Sequence, residues 1–319
     1  MIQLVAERFA LLFTDTPAFM ALVEKGLAFM HVEHAPEKLA LVAQNFFSEE
    51  LFQAMVCGGS SYKTGPINFL WQRLEVHRLA VRSLGHSPRA FVSHVLDTPM
   101  LWEHLRGKTF PNLFAPPAGL ADRYAGAIVA IDVEKKGSSY RGSGFIAQAS
   151  HDTMPWIVTC RHNIDAAEGI VLTGITTAGG QALTAHPPII SDEHDLAILR
   201  PRDDPVEPIF QLSDSVTMFD EVFTLGFPNL PGAFPVLTGH RGEVNAVTDL
   251  YLEKSPVILM SNLVAPGSSG CPVLLADGRC IGITTKWLEG ETSDGEKSRF
   301  SAALPAGPIR ALLTARRLP

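Results

Sequence analysis

Three polar residues far apart in the chain stand where an apolar run ends or a glycine-rich turn bends. His162 closes Thr159-Cys160-Arg161-His162 behind Ile157-Val158, Asp195 opens the run Leu196-Ala197-Ile198-Leu199, and Ser269 lies inside Gly267-Ser268-Ser269-Gly270-Cys271-Pro272. An alcohol is a poor nucleophile near neutral pH, so Ser269 needs a base within hydrogen-bond reach, and an imidazole is suited to that task. A carboxylate on the other ring nitrogen fixes the tautomer and stabilises the imidazolium that forms as the proton moves. Acyl transfer through a covalent intermediate is the chemistry open to such a set. Each segment alone has an ordinary reading, since a Gly-Ser turn is usually only a turn and a strand-end histidine usually a packed one. Their conjunction, in this order, is what favours the chemical reading.

The elements that must hold these residues fall into two halves. Up to about residue 113 the apolar spacing is helical: Leu39, Val42, Ala43, Phe46 and Phe47 follow i, i+3, i+4, i+7, i+8 and form one stripe. Thr16-Pro17, Ser87-Pro88 and Thr98-Pro99 read as helix starts in which the hydroxyl caps, and Gly58-Gly59 and Gly85 as stops. A bundle of about five or six short helices is expected. Phe114-Ala115-Pro116-Pro117-Ala118-Gly119 breaks the pattern, which places the domain boundary at 118/119: residues 1–118 a helical bundle, residues 119–319 a second domain. Short β-type runs follow at 127–133, 144–147, 156–159, 169–172 and 196–199, then at 221–225, 257–260, 272–275 and 280–285. The segment 308–313 reads as a short helix. The fold class expected is α+β and multidomain.

The order His162, Asp195, Ser269, with Gly-x-Ser-Gly-x-Pro around the serine, resembles the trypsin-like serine proteases, and the bacterial HtrA-type branch among them. Further segments carry the likeness: Gly142-Ser143-Gly144-Phe145-Ile146, Leu225-Gly226-Phe227-Pro228, Gly242-Glu243-Val244, Asp277-Gly278-Arg279, Ile281-Gly282-Ile283-Thr284-Thr285 and Phe300-Ser301-Ala302-Ala303-Leu304-Pro305. The resemblance covers roughly residues 125 to 315. It implies a chymotrypsin-like double β-barrel and a serine endopeptidase with His162, Asp195 and Ser269 as catalytic residues. By the same likeness the Gly267 and Ser269 NH groups face the oxyanion, and Leu263, Thr284, Thr285, Lys286 and Trp287 shape the pocket for the residue before the scissile bond. No acid stands among those pocket positions, so a small or apolar residue is expected there. Three departures matter. Ser268 replaces the aspartate that pairs with a new N-terminus in trypsin-like zymogens, no Ile-Val-Gly-Gly start precedes the first strand, and Cys271 replaces the second glycine after the serine.

Composition narrows the partners. A net charge of -7 and a pI near 5.9 give no basic footprint, and the short Arg316-Arg317 near the end adds none, so nucleic acid is not an expected partner. The start, Met1 to Arg8, lacks a basic n-region and no run is long enough to span a bilayer; a cytoplasmic protein without membrane association is expected. Cys57, Cys160, Cys271 and Cys280 then read as small buried thiols, although a bridge from Cys271 to Cys160 or Cys280 stays open. His162, His186 and His194 lack the tight ligand spacing of zinc sites, so neither metal nor cofactor is expected. Asp192, Glu193 and His194 read as a solvated loop, and His31, His34, His77, His86, His94 and His104 as structural residues.

The expected partner is a protein or peptide substrate. For residues 1–118 three roles remain open: recruiting a protein partner, as helical adaptors do on bacterial effector proteases; packing alone; or autoinhibition released by cleavage near Pro116-Pro117. The rival to catalysis is a protease fold that binds peptides without turning them over.

Overall fold

The computed structural model describes residues 2–29, 46–48, 64–84, 92–106, 109–115, 117–149, 154–205, 208–230, 232, 235–251, 254–291 and 297–315. Leu39, Val42, Ala43, Cys57, Gly58-Gly59, Gly85, Ser87-Pro88, Pro116, His31, His34, His86 and Arg316-Arg317 lie outside them. The chain divides into two compact units, residues 1–115 and residues 116–319.

In the first unit helices α1 (Ile2–Thr14), α2 (Thr16–Phe29), α3 (Thr64–Val76) and α4 (Thr98–Arg106) enclose a core of Val5, Phe9, Phe19, Val23, Leu70, Trp71, Leu74 and Leu101. The i, i+4 spacing of Val5 and Phe9, of Phe19 and Val23, and of Leu70 and Leu74 is that of buried helical stripes. Helices α2 and α4 begin at the expected Thr-Pro pairs, and an aspartate stands before each threonine. Asp15 accepts the Ala18 NH at 3.1 Å and Asp97 the Met100 NH at 3.0 Å.

The all-helical expectation for this half needs correction. Strands β1 (Phe46–Ser48), β2 (Ala80–Leu84) and β3 (Val92–Leu96) form an antiparallel sheet in the order β1-β3-β2, so Phe46 and Phe47 end not on a helical stripe but in a strand. Val81, Val92 and Val95 are β-branched, and such side chains fit a pleated surface better than a helix turn.

The second unit contains two β modules. The first is a sheet in the order β8-β7-β4-β5-β6-β10-β9, built from β4 (Ile128–Lys135), β5 (Ser138–Gln148), β6 (Trp156–Thr159), β7 (Ile170–Thr177), β8 (Ala182–Leu183), β9 (Ile189–Ile190) and β10 (Ala197–Leu199), with β11 (Phe210–Gln211) paired parallel to β5. The second closes into a barrel, β12-β13-β14-β17-β16-β15, from β12 (Glu221–Gly226), β13 (Thr238–Leu250), β14 (Ser255–Met260), β15 (Pro272–Leu275), β16 (Cys280–Glu291) and β17 (Lys297–Pro305).

One buried cluster runs through both modules, from Ile128, Val129, Phe145, Val158 and Leu199 to Phe223, Leu225, Leu274, Ile283 and Leu304. Tyr124 stacks on Phe210 at 4.3 Å, and Phe145 meets Phe210 edge-on at 5.9 Å. The barrel has its own core of Val222, Val244, Ile258, Met260, Val273 and Ile281. The short helix Ala118–Arg123, which Pro117 precedes, enters this unit, and the helix Ala306–Ala315 follows β17 with Ile309 and Leu313 in the shared cluster. Among the described residues no helix is long and apolar enough to cross a membrane.

Candidate active site

Strand ends bring His162 and Asp195 together. Strand β6, buried along its whole length, pairs antiparallel with β10 in the register Ala197↔Thr159, so the residues just beyond β6 and just before β10 share one edge. Beyond β6 a short helix, Arg161–Ile164, carries His162. Its far end is fixed by Asp165, which takes the Arg161 guanidinium at 2.8 Å and the Ala167 NH at 2.9 Å. These two hydrogen bonds hold the Asp165 carboxyl below the usual carboxylate range. On the other side Ser191 Oγ accepts the NH groups of Glu193 and His194, and Ser191 NH donates to the Leu196 carbonyl, which shapes the loop in front of β10.

Asp195 grips His162 at two points. Oδ1 accepts the His162 backbone NH at 3.0 Å, and Oδ2 lies 2.7 Å from Nδ1. With Asp195 ionised, Nδ1 is the donor, which leaves Nε2 as the acceptor on a ring that is 44% exposed. Burial alone would push the Asp195 carboxyl up. The hydrogen bonds and charge of His162, with Lys286 adding to them, outweigh it and hold the carboxyl below its ordinary value.

Ser269 sits in the loop from β14 to β15. Ser268 NH donates to the Ala265 carbonyl and Cys271 NH to the Ser268 carbonyl, which makes a tight turn, and Gly267 and Gly270 adopt φ of +91° and +94°. A Cβ at Gly267 would lie 2.8 Å from both Asn229 N and the Phe227 carbonyl oxygen. The buried Ser268 takes the Ala265 NH on its Oγ at 3.3 Å, closing the turn where the zymogen pattern has an aspartate. Asn229 NH donates to the Pro266 carbonyl at 2.7 Å; because a peptide is planar, this aims the Gly267 NH the opposite way. No backbone carbonyl among the described residues accepts the Gly267 or Ser269 NH. The Ser269 hydroxyl donates to the Thr285 carbonyl at 3.0 Å.

Of the expected pocket residues, Leu263 is 63% exposed and Lys286 half-buried, whereas Thr284 and Thr285 are buried. The Trp287 side chain lies outside what the structure describes. Thr284 is a backing residue rather than a lining one: its carbonyl accepts the Gly270 NH at 2.8 Å and the Cys160 thiol at 3.3 Å. A cleft of about 340 Å³ is lined by Gly267, between Asp132, Tyr140 and Arg141 and the segment Phe227, Pro228 and Asn229. Arg141 stands in its wall, held by Asp132 through two hydrogen bonds of 2.6 and 2.8 Å.

Cys160, Cys271 and Cys280 are buried free thiols, so neither bridge left open by the sequence is formed among the three. Burial pushes Cys271 and Cys280 up to about 12 and Cys160 well above its ordinary value. The Cys160 thiol, the His162 ring and the Asp195 carboxylate bring ligand atoms within 4.8 Å of one another, a grouping that sequence spacing did not reveal. These donors are engaged already, the imidazole with the carboxylate and the thiol with the Thr284 carbonyl. His186 and His194 are not part of the group; His194 instead meets Ser255 Oγ at 3.3 Å.

Residues that sequence reasoning missed stand behind the Ser269 loop. Asn163 Nδ2 donates to the Ser269 carbonyl, and Ser143 joins Gly267 to Phe227. Ser143 was visible only as the centre of a glycine-rich segment, and Asn163 carried no signal of its own.

No curated protein sequence matches the chain. Among solved structures, an HtrA-type protease with a tripeptide is similar at 22% identity and a TM-score of 0.49, and the match covers 63% of this chain and 63% of that one. Residues 142–283, the span that carries His162, Asp195 and Ser269, match the trypsin-like peptidase domain family. This span of the chain is a trypsin-like peptidase domain.

Proposed function

We propose that the chain is a serine endopeptidase in which His162 takes the proton from Ser269, Asp195 holds the imidazole, and the Gly267 and Ser269 NH groups stabilise the oxyanion. The observation that carries this reading is the two-point hold of Asp195 on His162, which fixes the tautomer that can accept a proton at Nε2. In the reaction Ser269 Oγ turns from the Thr285 carbonyl to Nε2, attacks the substrate carbonyl and leaves an acyl-enzyme; His162 then protonates the departing amine. Water, activated by the same imidazole, releases the acyl group. Each oxyanion donor is worth about 3 kcal/mol of barrier. Leu263, Thr285, Lys286 and Trp287 shape the pocket before the scissile bond and select a small or apolar residue, and the chain works in the cytoplasm. Incubation of the full chain with a peptide library tests this: cleavage after small or apolar residues, abolished by Ser269→Ala, is expected. Strong cleavage after Arg or Lys would overturn the specificity, and cleavage that survives Ser269→Ala would overturn the mechanism.

A second reading, peptide binding without turnover, is favoured by one observation: the Ser269 hydroxyl is bonded to the Thr285 carbonyl. Binding of library peptides with no cleavage product would support it. For residues 1–118 we propose a recruiting role, tested by capture of one partner by full-length Ser269→Ala but not by a form lacking those residues that stays soluble.

A further inference from the structure

Glycine-rich segments far apart in the sequence converge on one buried side chain, Ser143. Its Oγ donates to the Gly267 carbonyl at 2.8 Å and accepts the Phe227 NH at 2.8 Å, and its own NH donates to the Ser269 carbonyl at 3.1 Å. Asn163, the neighbour of His162, sends Nδ2 to that same Ser269 carbonyl at 3.0 Å and to Thr159 Oγ1 at 3.1 Å. The glycines make room for these contacts. A Cβ on Gly226 would lie 2.6 Å from Ser143 Oγ, one on Gly270 1.8 Å from the Ser143 carbonyl oxygen, and one on Gly142 2.7 Å from Asn163 Cγ.

The contacts act on two peptide planes. Ser143 Oγ holds the plane between Gly267 and Ser268, while Ser143 NH and Asn163 hold the plane between Ser269 and Gly270. Each plane is rigid, so fixing its carbonyl fixes its orientation. The two held planes bracket Ser268 and Ser269, and the Ser269 NH and hydroxyl lie between fixed points. Both fixed points come from the first sheet and the helix that follows β6, the part of the fold that also carries His162.

We propose that Ser143 and Asn163 are positioning residues that clamp the nucleophile loop to the sheet bearing the base, so that imidazole, alcohol and oxyanion donors share one frame. The catalytic consequence rests on the peptidase reading above; the clamp itself is a property of the loop. Neither residue touches the reacting atoms. A displacement of about 1 Å costs roughly a hundredfold in rate, which sets the scale of the expected loss.

The test uses full-length protein carrying Ser143→Ala or, since that change strands a buried carbonyl and NH, the half-buried Asn163→Leu. Hydrogen exchange of the loop 264–272 should quicken in both variants while β6 and β10 keep their protection. On a peptide substrate kcat should fall about 10- to 100-fold with KM within about twofold. Affinity for a peptide boronic acid, whose four-coordinate adduct places an oxygen at the oxyanion position, should fall by the same factor, and affinity for the matching peptide amide should not. Unchanged loop exchange overturns the clamp. So does an equal loss of boronate and amide affinity, or exchange that quickens throughout the sheet. If the loop loosens as expected but the wild-type chain neither cleaves peptide nor takes boronate at Ser269, the clamp stands and the peptidase reading fails.

Discussion

The two β modules of residues 116–319 deliver their polar groups by different means. In the first sheet His162 and Asp195 stand at the ends of paired strands, and the register of β6 with β10, set by wholly buried residues, brings them together. Both faces of these strands are buried, so a one-residue slip would swap the faces of their side chains and set each into packing shaped for another, and the ladder specifies this half strongly. In the closed barrel Ser269 stands in a loop held plane by plane by one or two hydrogen bonds each, several of them reaching across from the first sheet and the helix after β6. On the proposed mechanism, the half that carries His162 and Asp195 should fail by chemistry, whereas the Ser269 loop should fail by small losses of geometry.

The largest expected effect lies in the first half. Asp195→Asn keeps the shape but offers an amide where Nδ1 needs an acceptor, so kcat/KM should fall about 10⁴-fold while thermal stability changes little; a loss under about tenfold would show that the ladder half does not set the tautomer. In the loop half, Gly267→Ala puts a methyl group at φ +91° and 2.8 Å from Asn229 N and the Phe227 carbonyl oxygen. The loop must shift, and kcat should drop on the order of a hundredfold with the fold intact. Wild-type turnover in that variant would contradict a pre-built oxyanion site.

Packing at the seam offers a third break. A Cβ on Gly226 would meet Cys271 Sγ at 2.1 Å, so Gly226→Ala should destabilise the unit by about 1–3 kcal/mol. Adding Cys271→Ala removes the sulfur and should restore part of the loss, a coupling that a double-mutant cycle in denaturant measures. Strict additivity of the two changes would mean that the contact is not shared.

The smallest expected effect is silence. With Cys271 and Cys280 raised to about 12 by burial, only about one thiol in 10⁴ is ionised at pH 8 in the folded state. An aromatic disulfide reagent should therefore leave Cys160, Cys271 and Cys280 unlabelled until denaturant is added. Rapid labelling of the native protein at any of them would show the seam to be open.

How much of this was legible in the sequence depends on burial. Strands β6 and β15 were readable to the residue because continuous apolar runs such as Trp156–Thr159 and Pro272–Leu275 are buried on every side. Strand β13 was missed because most of its residues are half-buried or exposed, which removes the apolar signal, and β16 runs on to Glu291 through Lys286, Glu289, Gly290 and Glu291, which break its apolar run. In the first unit the short strands β2 and β3 hid among helical stripes, and the capping contacts of Asp15 and Asp97 went unread beside the Thr-Pro pairs. At the site, His162, Asp195 and Ser269 stood out because each punctuates an apolar run or a glycine turn. Thr285 was named only as a pocket position and its carbonyl contact was not foreseen, and Asn163 went unnoticed because it acts through a contact 106 residues away.

The most direct measurement is mass-spectrometric mapping of the adduct formed when a fluorophosphonate probe reacts with the wild-type chain and with His162→Ala. A single phosphonylated residue at Ser269, its rate of formation falling at least a hundredfold in His162→Ala, is the predicted result. Modification at another residue, or an equal rate without the imidazole, would contradict it.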